Sequence, residues 1–139
     1  KKEIKKIPGI GFGSQALGHI FLDRTSTKAA IETINSIKSK IKDGTSLVIF
    51  PEGTRSRTLE MLPFKKGAFW FAFDLNLSIL PVTINGTREI LPSGTMNLLP
   101  GKAEIIIHPA ININDYSKDT MPDLIEKTRD MIISGMKKK

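Results

Sequence analysis

Four cations stand where a chain would put them to hold an anion: Arg24, Arg55, Lys65 and Lys66. Arg24 and Arg55 each follow a predicted strand end, and Lys65-Lys66 open a predicted helix after Pro63-Phe64. A guanidinium is a planar fork that donates two parallel hydrogen bonds and keeps its charge, which suits phosphate. A lysine ammonium assists as a point charge, and the free N–H groups of a helix start add to it. Glu52, three residues before Arg55, cannot bind phosphate directly. It either orders its loop, through an ion pair with a neighbouring arginine, or positions a ligand. Each cation has a plainer reading as a solvated surface charge.

Arg55 is presented by the stretch ahead of it. Leu47-Val48-Ile49-Phe50 is apolar and rich in β-branched and aromatic residues. It reads as a short strand buried on both faces. Pro51 cannot donate to a sheet ladder, so the strand stops there. Gly53 permits a turn that a side chain would hinder. Glu52, Gly53, Thr54, Arg55, Ser56 and Arg57 therefore form a loop at the C-terminal edge of a sheet, where ligands of open α/β sheets bind.

The rest of the chain supplies the supporting elements. Pro8-Gly9-Ile10-Gly11-Phe12-Gly13 is a breaker-rich connection. No strand precedes it and its glycine spacing is wrong for a dinucleotide fingerprint. A short helix is expected over 14–18 and a strand over 20–22. A helix over 28–42 carries an apolar stripe of Ala30, Ile34, Ile37 and Ile41, with lysines in its last turns and Gly44 beyond. That stripe fits packing on a sheet; its basic polar face also fits an anionic lipid surface. The aromatic content of 66–75 would also suit a strand, but a strand follows within a few residues, so a helix is expected there, with Phe69 to Phe73 as core rather than a ligand groove. Strands follow over 78–84, with Pro81 at an edge or bulge, and over 103–108. Residues 85–88 read as a turn and 90–101 as a loop. A last helix runs over 120–136, with Thr120 as its cap, Pro122 in its first turn and Asp123 near its positive end. This alternation defines an α/β class: a layered mixed sheet flanked by helices.

The chain has 139 residues, a single domain or part of one, and 40% hydrophobic content, enough for a core. It has no cysteine, which excludes disulfides and thiolate chemistry. Two histidines leave little for a metal site, and none is expected. The net charge of +7 suits nucleic acid, anionic lipid or phosphorylated ligands, and does not choose among them. The terminal lysines read as solvated ends. No stretch approaches the ~20 apolar residues that span a bilayer. The chain begins with Lys rather than Met, so its natural start is expected upstream, with room there for a membrane anchor.

Phe50-Pro51-Glu52-Gly53-Thr54-Arg55-Ser56 resembles the signature of the glycerolipid acyltransferases, the 1-acylglycerol-3-phosphate acyltransferase family. Gly18-His19-Ile20-Phe21-Leu22-Asp23-Arg24 resembles the family's second block and Ile79-Leu80-Pro81-Val82-Thr83-Ile84 its fourth. All three stand in the family's order and cover about the first two-thirds of the chain. The family's first block is a His, four residues and an Asp, supplying the catalytic base and its partner. Neither His19 nor His108 has an Asp at that spacing. His19 belongs to the second block and reads as structural.

The resemblance implies that residues 1–139 are the C-terminal part of a single, N-terminally truncated domain like that of glycerol-3-phosphate acyltransferase. It implies acyl transfer from acyl-CoA or acyl-carrier protein to 1-acylglycerol 3-phosphate, giving phosphatidate. It assigns Arg24 and Arg55 to the acceptor phosphate, with Lys65 and Lys66 in support and Glu52, Gly53 and Thr54 as the acceptor loop. No metal or bound cofactor is implied, and no catalytic residue lies in this stretch, which alone should be inactive. Partners are lysophosphatidate, an acyl donor and a membrane surface, at the cytoplasmic face; no nucleic acid is expected, since the aromatics do not alternate with basic residues. The alternatives are a sister enzyme using glycerol 3-phosphate or another lysolipid, and a non-catalytic basic module binding phosphate or nucleic acid.

Overall fold

The computed structural model describes residues 12, 13, 16, 46–54, 56, 58, 60–92, 94, 95 and 97–137. The chain divides into two units, Lys1–Val48 and Ile49–Lys139. Of the first, Phe12, Gly13 and Ala16 are helical. The expected strand over 20–22, the helix over 28–42, and Arg24 lie outside the described residues. The second unit carries the fold below.

α1 is Lys66–Leu75, the helix expected over 66–75. Phe69 and Ala72, three residues apart, form its buried face. The helix ends because Asn76 turns left-handed, at φ 49. The N–H groups of Asn76 and Leu77 then bond the carbonyls of Phe73 (3.2 Å) and Ala72 (2.9 Å), satisfying carbonyls that a helix end orphans. Phe64, just ahead of α1, stacks on Phe69 with ring centres 6.4 Å apart.

β1 (Val82–Asn85) and β2 (Glu104–Ile107) form an antiparallel two-stranded sheet. Val82 faces Ile107 and Ile84 faces Ile105. The strand expected over 78–84 is broken. Ile79 bridges Ile111 through a reciprocal pair of hydrogen bonds of 2.9 and 2.8 Å. Three steps along one strand, from Ile79 to Val82, then match four along the other, from Ile107 to Ile111. The extra residue falls where Pro81 and Pro109 face an interrupted ladder. Neither has an N–H to give, so the ladder yields there as at a bulge.

After β1, Gly86 takes φ 83, and a Cβ there would meet the Lys102 carbonyl at 2.0 Å. Only glycine fits. The expected turn continues into the short helix α2, Thr87–Ile90. A 3-10 turn, Ile113–Asp115, precedes α3, Met121–Ser134. Met121, Leu124 and Thr128 are buried along one side of α3, which packs on α1 and β1. Thr120 does not cap α3 with its side chain. Its hydroxyl instead accepts the Ser117 N–H at 2.8 Å, so the preceding turn takes the group expected to serve the helix. α3 also stops at Ser134, two residues before the expected Met136.

The core joins Phe69, Ala72, Ile111, Ile113, Met121 and Leu124. The sheet adds a polar seam. Thr83, 1% exposed, donates to the Ile132 carbonyl (2.7 Å) and meets His108 Nε2 at 2.8 Å. Asn85 donates to the Gly135 carbonyl (2.9 Å) and accepts the Lys137 N–H (3.2 Å), fixing the chain beyond α3 to the sheet. The fold is thus α/β, with an antiparallel sheet among the described residues. The run over 47–50, expected as a strand buried on both faces, is paired with nothing among them. Val48 is 81% and Phe50 73% exposed. An apolar run signals burial, but burial also requires neighbours on both edges and both faces.

Candidate functional site

The signature loop begins with a turn that Gly53 makes possible. At φ 70, Gly53 directs its N–H back to the Phe50 carbonyl at 3.0 Å. Two further bonds close the loop at its base. The Lys65 N–H reaches the Pro51 carbonyl at 2.8 Å. Glu52 Oε2 accepts the Leu62 N–H at 2.8 Å, across ten residues. Glu52 therefore orders the loop through a backbone donor. The expected ion pair with an arginine is not needed for that role. Carboxylate acceptors make the stronger class of such bonds.

The cations separate. Lys65 is the residue ahead of α1 and has extended backbone, at φ −86 and ψ 132. Its side chain runs along Gly53: a Cβ there would stand 3.1 Å from Lys65 Cδ and 3.5 Å from Nζ. Glu52, Gly53 and Lys65 thus come together, and Thr54 is exposed beside them. Lys66 instead lines a cleft of about 450 Å³ with Pro63, Phe64, Ile125, Glu126 and Arg129. Arg55, like Arg24, lies outside the described residues.

The start of α1 is unusually positive. Its first turn has no acidic residue, and no side chain caps it. Two lysines sit at the end of the helix dipole that favours anions. In an ordinary helix this arrangement is unfavourable by about 0.3–1 kcal/mol per charge. An anion near this helix start would offset that cost.

Sequence reasoning missed two arginines at this loop. Arg88 Nη1 donates to the Thr58 carbonyl, and Arg129 Nη2 to the Met61 carbonyl at 3.4 Å. No spacing rule links a side chain to a carbonyl 30 or 68 residues away. It placed Ser56 in the loop but not its bonds: the hydroxyl accepts the Thr58 N–H at 3.1 Å and reaches the Glu60 carbonyl at 2.9 Å.

The site is thus a closed, glycine-turned loop beside a lysine-bearing helix start, on an α/β scaffold. The comparisons with known proteins narrow it. The family model described as Acyltransferase matches residues 1–85. The chain is 35% identical over 140 residues to the 1-acyl-sn-glycerol-3-phosphate acyltransferase of Saccharomyces cerevisiae, covering 99% of this chain and 46% of that protein. It is 34% identical over 133 residues to the enzyme of that name from Haemophilus influenzae, covering 95% and 55%. The crystal structure of the 1-acyl-sn-glycerophosphate (LPA) acyltransferase, PlsC, from Thermotoga maritima aligns with a TM-score of 0.77 and 30% identity, over 96% of this chain and 52% of that one. This chain belongs to the acyltransferase family. It spans about half or less of the length of the curated relatives it matches.

Proposed function

We propose that the whole protein acylates 1-acylglycerol 3-phosphate to phosphatidate, and that residues 1–139 hold the acceptor. The acceptor hydroxyl would attack the thioester carbonyl of acyl-CoA or acyl-carrier protein. A C–O ester bond forms, the C–S bond breaks, and the hydroxyl proton passes through a general base to the departing thiolate. The base belongs to a His-x4-Asp pair that neither His19 nor His108 can form. This stretch by itself should therefore transfer no acyl groups.

The observation that carries the reading is the Glu52–Gly53–Lys65 arrangement at the positive start of α1. The signature places Arg55 two residues beyond Gly53. Arg24 and Arg55 would grip the phosphate as forks, with Lys65 close by and Lys66 adding positive charge from the next position. The reading requires no metal or bound cofactor.

Two finer points go with it. The run over 47–50 would be a strand of a mixed, helix-flanked sheet like that of glycerol-3-phosphate acyltransferase; its β-branched and aromatic composition supports this. The exposed Leu98 and Leu99, with a net charge of +7 that suits anionic lipid, support attachment to a membrane surface; the family resemblance implies the cytoplasmic face, with lysophosphatidate and acyl donor as partners and no nucleic acid. Among the described residues no helix is long and apolar enough to cross a membrane.

The test assays the whole protein with lysophosphatidate, glycerol 3-phosphate and lysophosphatidylcholine, in wild type and in Arg24→Ala and Arg55→Ala. Preference for lysophosphatidate, with each substitution raising its KM about tenfold or more, is expected. Equal use of all three acceptors, or unchanged KM in both variants, would remove the assignment.

A further inference from the structure

The loop after Glu52 is shaped by a proton count. Ser56 Oγ lies 3.0 Å from the Thr58 carbonyl and 2.9 Å from the Glu60 carbonyl. A hydroxyl has one proton, so it cannot serve both. Arg88 Nη1 donates to the Thr58 carbonyl, which releases the Ser56 proton for Glu60. Thr58 Oγ1 accepts the Glu60 N–H at 3.3 Å, and the loop is closed at its base by Glu52. The donor that makes this network complete comes from outside the signature.

Arg88 is itself well placed to act as a fixed point. It follows β1 directly, after a Gly86 that no other residue could replace without meeting the Lys102 carbonyl. Its short helix is closed by Leu91 N–H to the Thr87 carbonyl (3.0 Å) and Leu99 N–H to the Ile90 carbonyl (2.8 Å). The guanidinium thus ties the loop to the sheet, where a point charge alone would leave its angle free.

We propose that Arg88 is a positioning residue: by holding the Thr58 carbonyl it steadies the loop that follows the Gly53 turn, and so sets affinity for the phosphate-bearing acceptor. The proposal rests on the phosphate-binding reading above. It concerns a residue that the signature does not contain.

The experiment uses the whole protein and two variants of similar side-chain length, Arg88→Met and Arg88→Lys. Amide hydrogen exchange over residues 56–62 is measured without substrate, and KM is measured for lysophosphatidate and for acyl-CoA. Arg88→Met should speed exchange in the loop about tenfold and raise the lysophosphatidate KM by a similar factor. The acyl-CoA KM should stay within about twofold, and Arg88→Lys should recover part of both losses, because it keeps a donor. Unchanged exchange in Arg88→Met overturns the proposal even if KM rises, since that pattern marks direct contact with substrate. Faster exchange with unchanged KM overturns it too. A wild-type protein inactive on lysophosphatidate would sink the functional reading instead, and the exchange measurement would still decide whether Arg88 holds the loop.

Discussion

Lys65 lies across Gly53. Its backbone N–H bonds the Pro51 carbonyl at 2.8 Å, and its side chain runs so close that a Cβ on Gly53 would stand 3.1 Å from Lys65 Cδ. Main chain and side chain of one residue thereby fasten the start of α1 to the signature turn. The side chain lies beside the loop while the residue stays exposed to solvent.

That contact makes Gly53→Ala a sharp test. The left-handed φ of 70 at this position costs a side-chain-bearing residue about 1–2 kcal/mol. The new methyl would also push Lys65 aside. Urea unfolding of Gly53→Ala should show a stability loss of about that size, and the acceptor KM of the whole protein should rise. Wild-type stability and KM together would mean that the turn relaxes freely.

Thr83 permits a prediction about a proton. Its single hydroxyl proton goes to the Ile132 carbonyl, 2.7 Å away, because a carbonyl cannot donate. The 2.8 Å contact with His108 Nε2 must then be donated by the histidine. Nitrogen chemical shifts should report a protonated Nε2 on His108. Thr83→Val keeps the shape but removes the His108 Nε2 partner and leaves the Ile132 carbonyl only the Gly135 N–H at 3.2 Å, which should cost about 1–3 kcal/mol in denaturant unfolding. An unprotonated Nε2 would reverse the direction assigned to this bond.

Gly135 tests the same seam from the other side. A Cβ there would stand 2.9 Å from Thr83 Oγ1 and 3.0 Å from His108 Nε2, although the backbone, at φ −88, is ordinary. Gly135→Ala should therefore destabilise through crowding, by about 1–3 kcal/mol. A neutral outcome in thermal unfolding would show that α3 can lift from the sheet at its end.

Leu124 has no exposed surface and sits where α3 meets the core. Leu124→Ala should cost about 2–5 kcal/mol. A loss below 1 kcal/mol, by the scale of ordinary surface substitutions, would place the core elsewhere.

The sequence spoke most clearly where a local rule decided the outcome. α1 was legible because an apolar run stands between Pro63 and an asparagine that tolerates the left-handed turn; its predicted and observed limits are both Lys66 and Leu75. β2 was legible from its run of isoleucines before Pro109. Thr120 was misread because two turns compete for one hydroxyl and the nearer N–H, that of Ser117, takes it. The offset between the Ile79–Ile111 bridge and the Val82–Ile107 pair falls where each strand carries a proline, a coincidence that periodicity within either strand does not reveal. At the site, the glycine turn and the lysines were legible as types. The bonds from Glu52 to Leu62 and from Arg88 to Thr58 were not, because each joins a side chain to a distant backbone group.

The central claim is that this loop recognises a phosphate, and one comparison isolates it. The whole protein and Arg55→Ala are each assayed with lysophosphatidate and with the matching monoacylglycerol, which lacks only the phosphate. The account predicts that Arg55→Ala loses about tenfold or more in kcat/KM with lysophosphatidate and almost nothing with monoacylglycerol. An equal loss with both acceptors would mean that Arg55 serves the loop or the chemistry in general, and the phosphate assignment would be wrong.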